Sequence, residues 1–182
     1  MMDMLELFPT YVFTKQCNLD LVKIKRECLE HADKVSSSSM SSSGYQHYDF
    51  ICNDLSKELK YSIPQREDLP LKSITSSFWV NINYRNQYNV LHSHDPFQNN
   101  ALSGVFYVQA NENSGNIKLF DPRFTLTSAP DLKYYNNSSS SFYFTPKPNF
   151  LIIFPSRLQH LVEPNHSDEE RISISFNIQL DY

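Results

Sequence analysis

Glycine is nearly missing here: the 182-residue chain holds three. Neither GxGxxG nor GxxxxGK[ST] occurs, which removes dinucleotide-binding and P-loop phosphate chemistry. Cysteine is as scarce. Cys17, Cys28 and Cys52 are an odd number without CxxC spacing, so they form neither a disulfide frame nor a zinc knuckle. They read as reduced thiols of a cytoplasmic protein. No apolar run reaches the roughly eighteen residues that a membrane-spanning helix needs. The opening MMDMLELFPTYVF is acidic and carries Pro9, so it lacks the basic start and apolar stretch of a signal peptide. The Asn-x-Ser matches at Asn136, Asn137 and Asn165 are accordingly expected to stay unglycosylated. With a net charge of −4 and no basic stripe, nucleic acid is not expected as the main partner.

What is present is one domain's worth of apolar and aromatic material. Aromatics make up 14% of the chain, with Trp79 the single tryptophan. After a short extended segment around YVF, residues 18–35 carry Leu21, Ile24, Cys28 and Ala32 at three- and four-residue spacing. That period predicts a helix with one apolar face, with Asn18 or Asp20 as its cap. The serine-rich run 36–44 breaks the pattern as a low-complexity loop. A second, shorter helix is expected over 50–59, with Leu55 and Leu59 one turn apart.

From residue 74 the period changes to alternation. ITSSFWVNINY, ALSGVFYVQA, GNIKLFD, SFYFTP, NFLIIFPS and RISISFNIQL are short β-branched and aromatic runs divided by Pro, Asn, Asp and Ser turns. In the last of them Ile172, Ile174 and Phe176 share one face, and Ser173, Ser175 and Asn177 the other. Short strands in series without intervening helices predict a mainly β fold, a double-stranded β-helix or jelly roll. The N-terminal helices would pack on one of its sheets. Residues 1–73 then form a helical layer and lead-in, and residues 74–182 the jelly-roll core of a single domain. The serine- and asparagine-rich stretch 134–141 and the run 36–44 are candidate lids or plain connectors.

Two of the six histidines fall together in LHSHDPF, at positions 92 and 94. In extended chain both point to the same face. A jelly-roll mouth gathers side chains from several strands, and His160, just after the apolar run FLIIF, is the third candidate metal ligand. His31, His47 and His166 read as surface residues. By spacing alone a metal site, a pH-sensitive turn and chance all remain open.

Arg171 opens the strand RISIS, with Ser173 on its face. If that strand neighbours the one leading to His160, both point to the same interior. A buried guanidinium needs an anion, and a guanidinium fork beside a hydroxyl suits a carboxylate. The competing reading is a rim arginine paired with Asp168 or Glu169. Gly104 and Gly115 suggest close backbone approaches or turns. The run DPR, 121–123, suggests a structural salt bridge at the rim or a substrate contact.

In order along the chain, LFPTYVF, FWVNIN, LHSH, LSGVFYVQ, SGNIKLFDPR, LIIFPSRLQHLVEPN and RISISFN form a set. That set resembles the 2OG-Fe(II) oxygenase family of small single-domain proteins found in marine bacteria and their phages. The resemblance covers most of the chain, and residues 78–177 carry its specific parts. It implies Fe(II) as metal and 2-oxoglutarate as cosubstrate. His92 matches the first iron ligand and His160 the distal one. Arg171 matches the anchor for the far carboxylate of 2-oxoglutarate, with Ser173 as its hydroxyl partner. Most such enzymes carry an aspartate two residues after the first histidine, completing a two-histidine, one-carboxylate face on the metal. Here that slot is His94, and Asp95 comes one position later. The expectation is a three-histidine iron site, with Asp95 as alternative ligand or as acceptor for an imidazole N–H. Arg157, where an aromatic is usual, suggests an altered pocket rim.

The activity so implied is a dioxygenase that hydroxylates a substrate and releases succinate and CO2. Its partners would be the small-molecule cosubstrate and that substrate, in the cytoplasm (the host's, if the chain is phage-encoded). An oligomer is compatible with the sequence. Two other classes stay open: a non-catalytic jelly-roll binding or structural module, and a cupin-like three-histidine metal enzyme without 2-oxoglutarate.

Overall fold

The computed structural model describes residues 9–34, 45–63, 71–94, 101–122 and 141–181. Asp95, Arg123 and the serine-rich run 36–44 lie outside the described residues, as does the stretch 134–141 apart from Ser141.

Ten strands and two helices follow in the order β1 (Phe13–Gln16), α1 (Leu21–Lys34), β2 (Tyr45–Phe50), α2 (Asn53–Ser62), β3 (Ser73–Asn83), β4 (Asn89–His92), β5 (Leu102–Gln109), β6 (Ile117–Phe120), β7 (Ser141–Phe144), β8 (Phe150–Pro155), β9 (His160–Val162) and β10 (Arg171–Asp181). They form two antiparallel sheets, one of order β1-β8-β5-β10-β3-β2 and one of order β4-β9-β6-β7. This is the expected mainly β jelly roll, with the helices on the larger sheet.

Alternation along the central strands builds two cores. Phe106 and Val108 of β5, Leu151 and Ile153 of β8, and Ile172, Ile174 and Phe176 of β10 pack toward Ile24 and Cys28 of α1 and Leu55 and Leu59 of α2. The alternate residues Val105, Tyr107, Ile152 and Phe154 pack toward Ile117 and Leu119 of β6, between the sheets. Strands buried on both faces are apolar at every position, as LIIF is. At one end of the sandwich the inward face turns polar, and that end carries the site. On the helix-facing side of β5 Gly104 makes room for Phe176, since a Cβ would lie 2.4 Å from its ring and 2.3 Å from the Ile152 carbonyl oxygen.

Some local expectations hold and others are corrected. Asp20 caps α1, its carboxylate accepting from the Lys23 backbone N–H at 3.0 Å. The second helix starts later than the pattern implies, because Tyr45–Phe50 leaves to pair with β3 as the sheet's edge strand. β1 likewise joins the larger sheet through β8. His47, expected at the surface, is 4% exposed because β2 tucks it under the sheet. His166 is exposed and His31 half-buried. Among the described residues no helix is long and apolar enough to cross a membrane.

Candidate metal centre

β4 and β9 pair so that His92 stands directly opposite His160. Their ring centroids are 4.2 Å apart. His94, two residues past His92, is held by its backbone N–H donating to the Ser156 carbonyl at 2.9 Å. That contact turns its ring over the pair, 5.4 Å from His92 and 5.2 Å from His160 by centroids. One ring nitrogen from each of the three lies within 4.8 Å of the others.

The tautomers follow from the partners. The His92 Nδ1 lies 2.7 Å from the Val90 carbonyl and the His160 Nδ1 2.9 Å from the Leu158 carbonyl. A carbonyl only accepts, so each Nδ1 carries the proton and each Nε2 keeps a free lone pair. Burial, with the neighbouring His92 adding to it, pushes the His160 pKa down to about 3 and that of His94 to about 4. Both rings are therefore neutral at pH 7, the form that binds a metal. Phe154 lies against His160 and Trp79 against His94, with centroids 4.8 and 5.6 Å away.

Across the cleft, on the larger sheet, stands Arg171, 1% exposed. Its Nη1 donates to the Ser114 carbonyl and, at 3.2 Å, to the Glu163 carbonyl. Among the described residues its Nη2 is buried without a partner. Among the described residues no carboxylate pairs with it, and burial lowers its pKa. Asp168, one partner considered for it, pairs instead with Arg85. Ser173 follows on the same face, and both line one cleft with the three histidines, Tyr107, Asn81, Asn83 and Trp79. Tyr107 is wholly buried, and that burial raises its hydroxyl to about 12 despite the nearby Arg171 charge.

The cradle of Arg171 depends on a turn. Gly115 has φ +79°, and a Cβ there would lie 2.3 Å from the Glu163 carbonyl oxygen. Only glycine fits that close approach at that φ.

One inference from sequence is corrected. β10 does not neighbour β8 or β9; it pairs with β3 and β5. Arg171 meets His160 by facing it across the sandwich, since β9 belongs to the opposite sheet. Arg157 is exposed and does not line the cleft. Asn81, Asn83, Trp79, Tyr107 and Gln46 were not singled out from sequence. The signal for three of them was there, because WVNIN in β3 alternates polar and apolar just as RISIS does in β10.

The residues present suit a divalent transition metal and an anion. Three imidazoles converge on one point, and a buried cation with an unpartnered N–H waits opposite.

Converging histidines and a buried arginine at one end of a jelly roll make a cleft able to hold a metal ion and an anion. The family model described as "Putative 2OG-Fe(II) oxygenase" matches residues 77–177. The chain belongs to that family, and with membership come Fe(II) and 2-oxoglutarate as cofactor and cosubstrate. No curated protein matches the sequence. Among solved structures, a prolyl-4-hydroxylase of Pseudomonas putida is 14% identical with a TM-score of 0.65, over 93% of this chain and 92% of its own. A prolyl hydroxylase of Trichoplax adhaerens, in complex with a hypoxia inducible factor oxygen degradation domain peptide fragment, is 16% identical with a TM-score of 0.65, over 92% of this chain and 83% of its own. The α-ketoglutarate-dependent epimerase SnoN of nogalamycin biosynthesis is 14% identical with a TM-score of 0.65, over 93% and 78%. At these identities the likeness is one of fold.

Proposed function

We propose that this protein is an Fe(II)- and 2-oxoglutarate-dependent dioxygenase in which His92, His94 and His160 would hold the iron. Arg171 would hold the far carboxylate of 2-oxoglutarate, with the Ser173 hydroxyl beside it. With both bound, such a centre couples decarboxylation of 2-oxoglutarate to succinate and CO2 with insertion of one oxygen atom of O2 into a C–H bond of the substrate.

The observation that carries the reading is the unpartnered Nη2 of Arg171, buried in the same cleft as the histidine group. A guanidinium out of water without a counterion is costly, and the cost falls away when a carboxylate binds. The chain's own contributions are positional. The Val90 and Leu158 carbonyls fix the imidazole tautomers of His92 and His160. The Ser114 and Glu163 carbonyls aim the guanidinium. Phe154 and Ile117 give the cleft an apolar lining that limits water.

A cupin-like metal enzyme without 2-oxoglutarate would use the histidines and leave Arg171 unexplained. A binding module would leave both unexplained. The experiment is an anaerobic titration of the Fe(II)-loaded protein with 2-oxoglutarate, watching for the weak visible charge-transfer band. A saturable band, lost in His160→Ala and weakened in Arg171→Ala, is the expected result. Bound iron without a band would favour the enzyme that needs no cosubstrate, and no bound iron would favour the binding module.

A further inference from the structure

The same cleft holds a second orphaned polar atom. Asn81 is 4% exposed, and among the described residues its Oδ1 is buried without a partner. Its Nδ2 donates to the Ser175 Oγ at 2.9 Å, which leaves the carbonyl over. This acceptor does not serve 2-oxoglutarate, whose carboxylates at neutral pH only accept. It calls for an N–H or O–H from another molecule.

Its neighbours narrow the choice. β2 and β3 pair so that Gln46 lies opposite Asn81, and β3 and β10 so that Asn81 lies opposite Ser173. Gln46 lines the cleft too, and its Oε1 accepts from the Tyr48 hydroxyl at 2.9 Å. With Oε1 so engaged, the Gln46 Nε2 is left as a donor. Directly opposed side chains on paired strands stand roughly 5 Å apart at Cβ. A donor and an acceptor so placed complement a carboxamide edge, one oxygen and one N–H on the same side. Beside them Tyr48 stacks on Trp79, with centroids 6.1 Å apart and planes at 28°, and Trp79 in turn lies against His94. Tyr48 is 50% exposed, so this aromatic pair forms a platform at the mouth.

We propose that Asn81 and Gln46 recognise a primary carboxamide, or a lactam presenting the same edge, carried on a flat apolar body that lies on Trp79 and Tyr48. As the identity of the oxygenase's substrate this rests on the function proposed above. As a binding contact it stands on Asn81, Gln46 and the aromatic pair alone.

Trp79 is the single tryptophan of the chain, so its fluorescence reports on the platform. The test titrates the full-length protein, with and without Fe(II) and 2-oxoglutarate, with benzamide and with N,N-dimethylbenzamide, which lacks the N–H. Benzamide is expected to change Trp79 emission saturably and to bind about ten-fold more tightly than the dimethyl compound, the weight of one buried hydrogen bond. In Asn81→Leu that preference should vanish. If Asn81→Leu does not fold, Ser175→Ala serves, because releasing the Asn81 amide should cut the preference several-fold. Equal binding of the two amides by the wild type would overturn the proposal. So would a preference that survives these substitutions, or no saturable change up to concentrations on the order of tens of millimolar. The charge-transfer titration reads the cosubstrate complex separately, so failure of the oxygenase reading and failure of amide recognition are distinguishable.

Discussion

His92 and His160 face each other as a directly opposed pair on β4 and β9, ring centroids 4.2 Å apart, each donating its Nδ1–H to the carbonyl two residues before it. Two neighbouring strands thus present two lone pairs to one point, and His94 adds the third from the turn beyond β4.

On the proposed assignment, His160→Ala should weaken binding of Co(II), a spectroscopic stand-in for Fe(II), by more than ~100-fold, beyond the effect usual for residues behind the ligands. His94→Asp should keep binding, because a carboxylate at that position completes the commoner donor set. Visible absorption of the Co(II) complex checks both. Unchanged Co(II) affinity in His160→Ala would remove that residue from the metal.

Arg171 gives a ligand-linked stability effect. At a hundred-fold excess over its dissociation constant, 2-oxoglutarate should stabilise the metal-loaded wild type by about 2.7 kcal/mol. Arg171→Met should show almost none of that gain, since the buried cation is the anion's partner. Melting curves with and without 2-oxoglutarate decide it, and an equal gain in both proteins would show that the carboxylate sits elsewhere.

Gly115→Ala should act on the same anchor from a distance. At φ +79° a side chain is strained, and its Cβ would collide with the Glu163 carbonyl that holds Arg171. The expected result is a loss of about 1–3 kcal/mol in stability together with a raised 2-oxoglutarate requirement. Denaturant unfolding and the cosubstrate titration measure the two parts. A destabilised variant with wild-type cosubstrate affinity would uncouple the turn from Arg171.

The thiols predict a pH dependence of labelling. Burial raises the pKa of Cys28 and Cys52, and that of Cys17 to about 11. The thiolate is the reactive form, so at pH 8 each should be far less reactive than a free cysteine. Disulfide-exchange reagents should find almost no thiol in the native protein at pH 8 and three in denaturant. Rapid labelling of Cys28 in the native state would contradict the burial.

Much of this was legible before folding. RISISFN shows its two faces at sight, and Arg171, Ser173 and Ser175 line the cleft while Ile172, Ile174 and Phe176 fill the core. Asp20 as a cap and the spacing of Leu55 and Leu59 were equally readable, because both are local. β2, β4 and β9 were not. YQHYDF carries no alternation, and HLV and NVLH are too short to show a period, so their strand character comes from the partners they pair with. His47 was misread for that reason. The orphaned Oδ1 of Asn81 had no sequence signal, because Ser175, the partner of its Nδ2, lies 94 residues away.

The sequence by itself determined the periods, and through them the helices, the long strands and the faces of each. It also determined which donors were available: three histidines without an acid in the usual slot, one arginine heading an alternating strand. Only the tertiary structure decided that Arg171 meets the histidines from the opposite sheet and that His92 pairs with His160. Alternation states which side of a strand a residue occupies but not which strand lies beside or across from it. That choice is made by the summed burial of two cores, a property of the whole chain that no single segment carries.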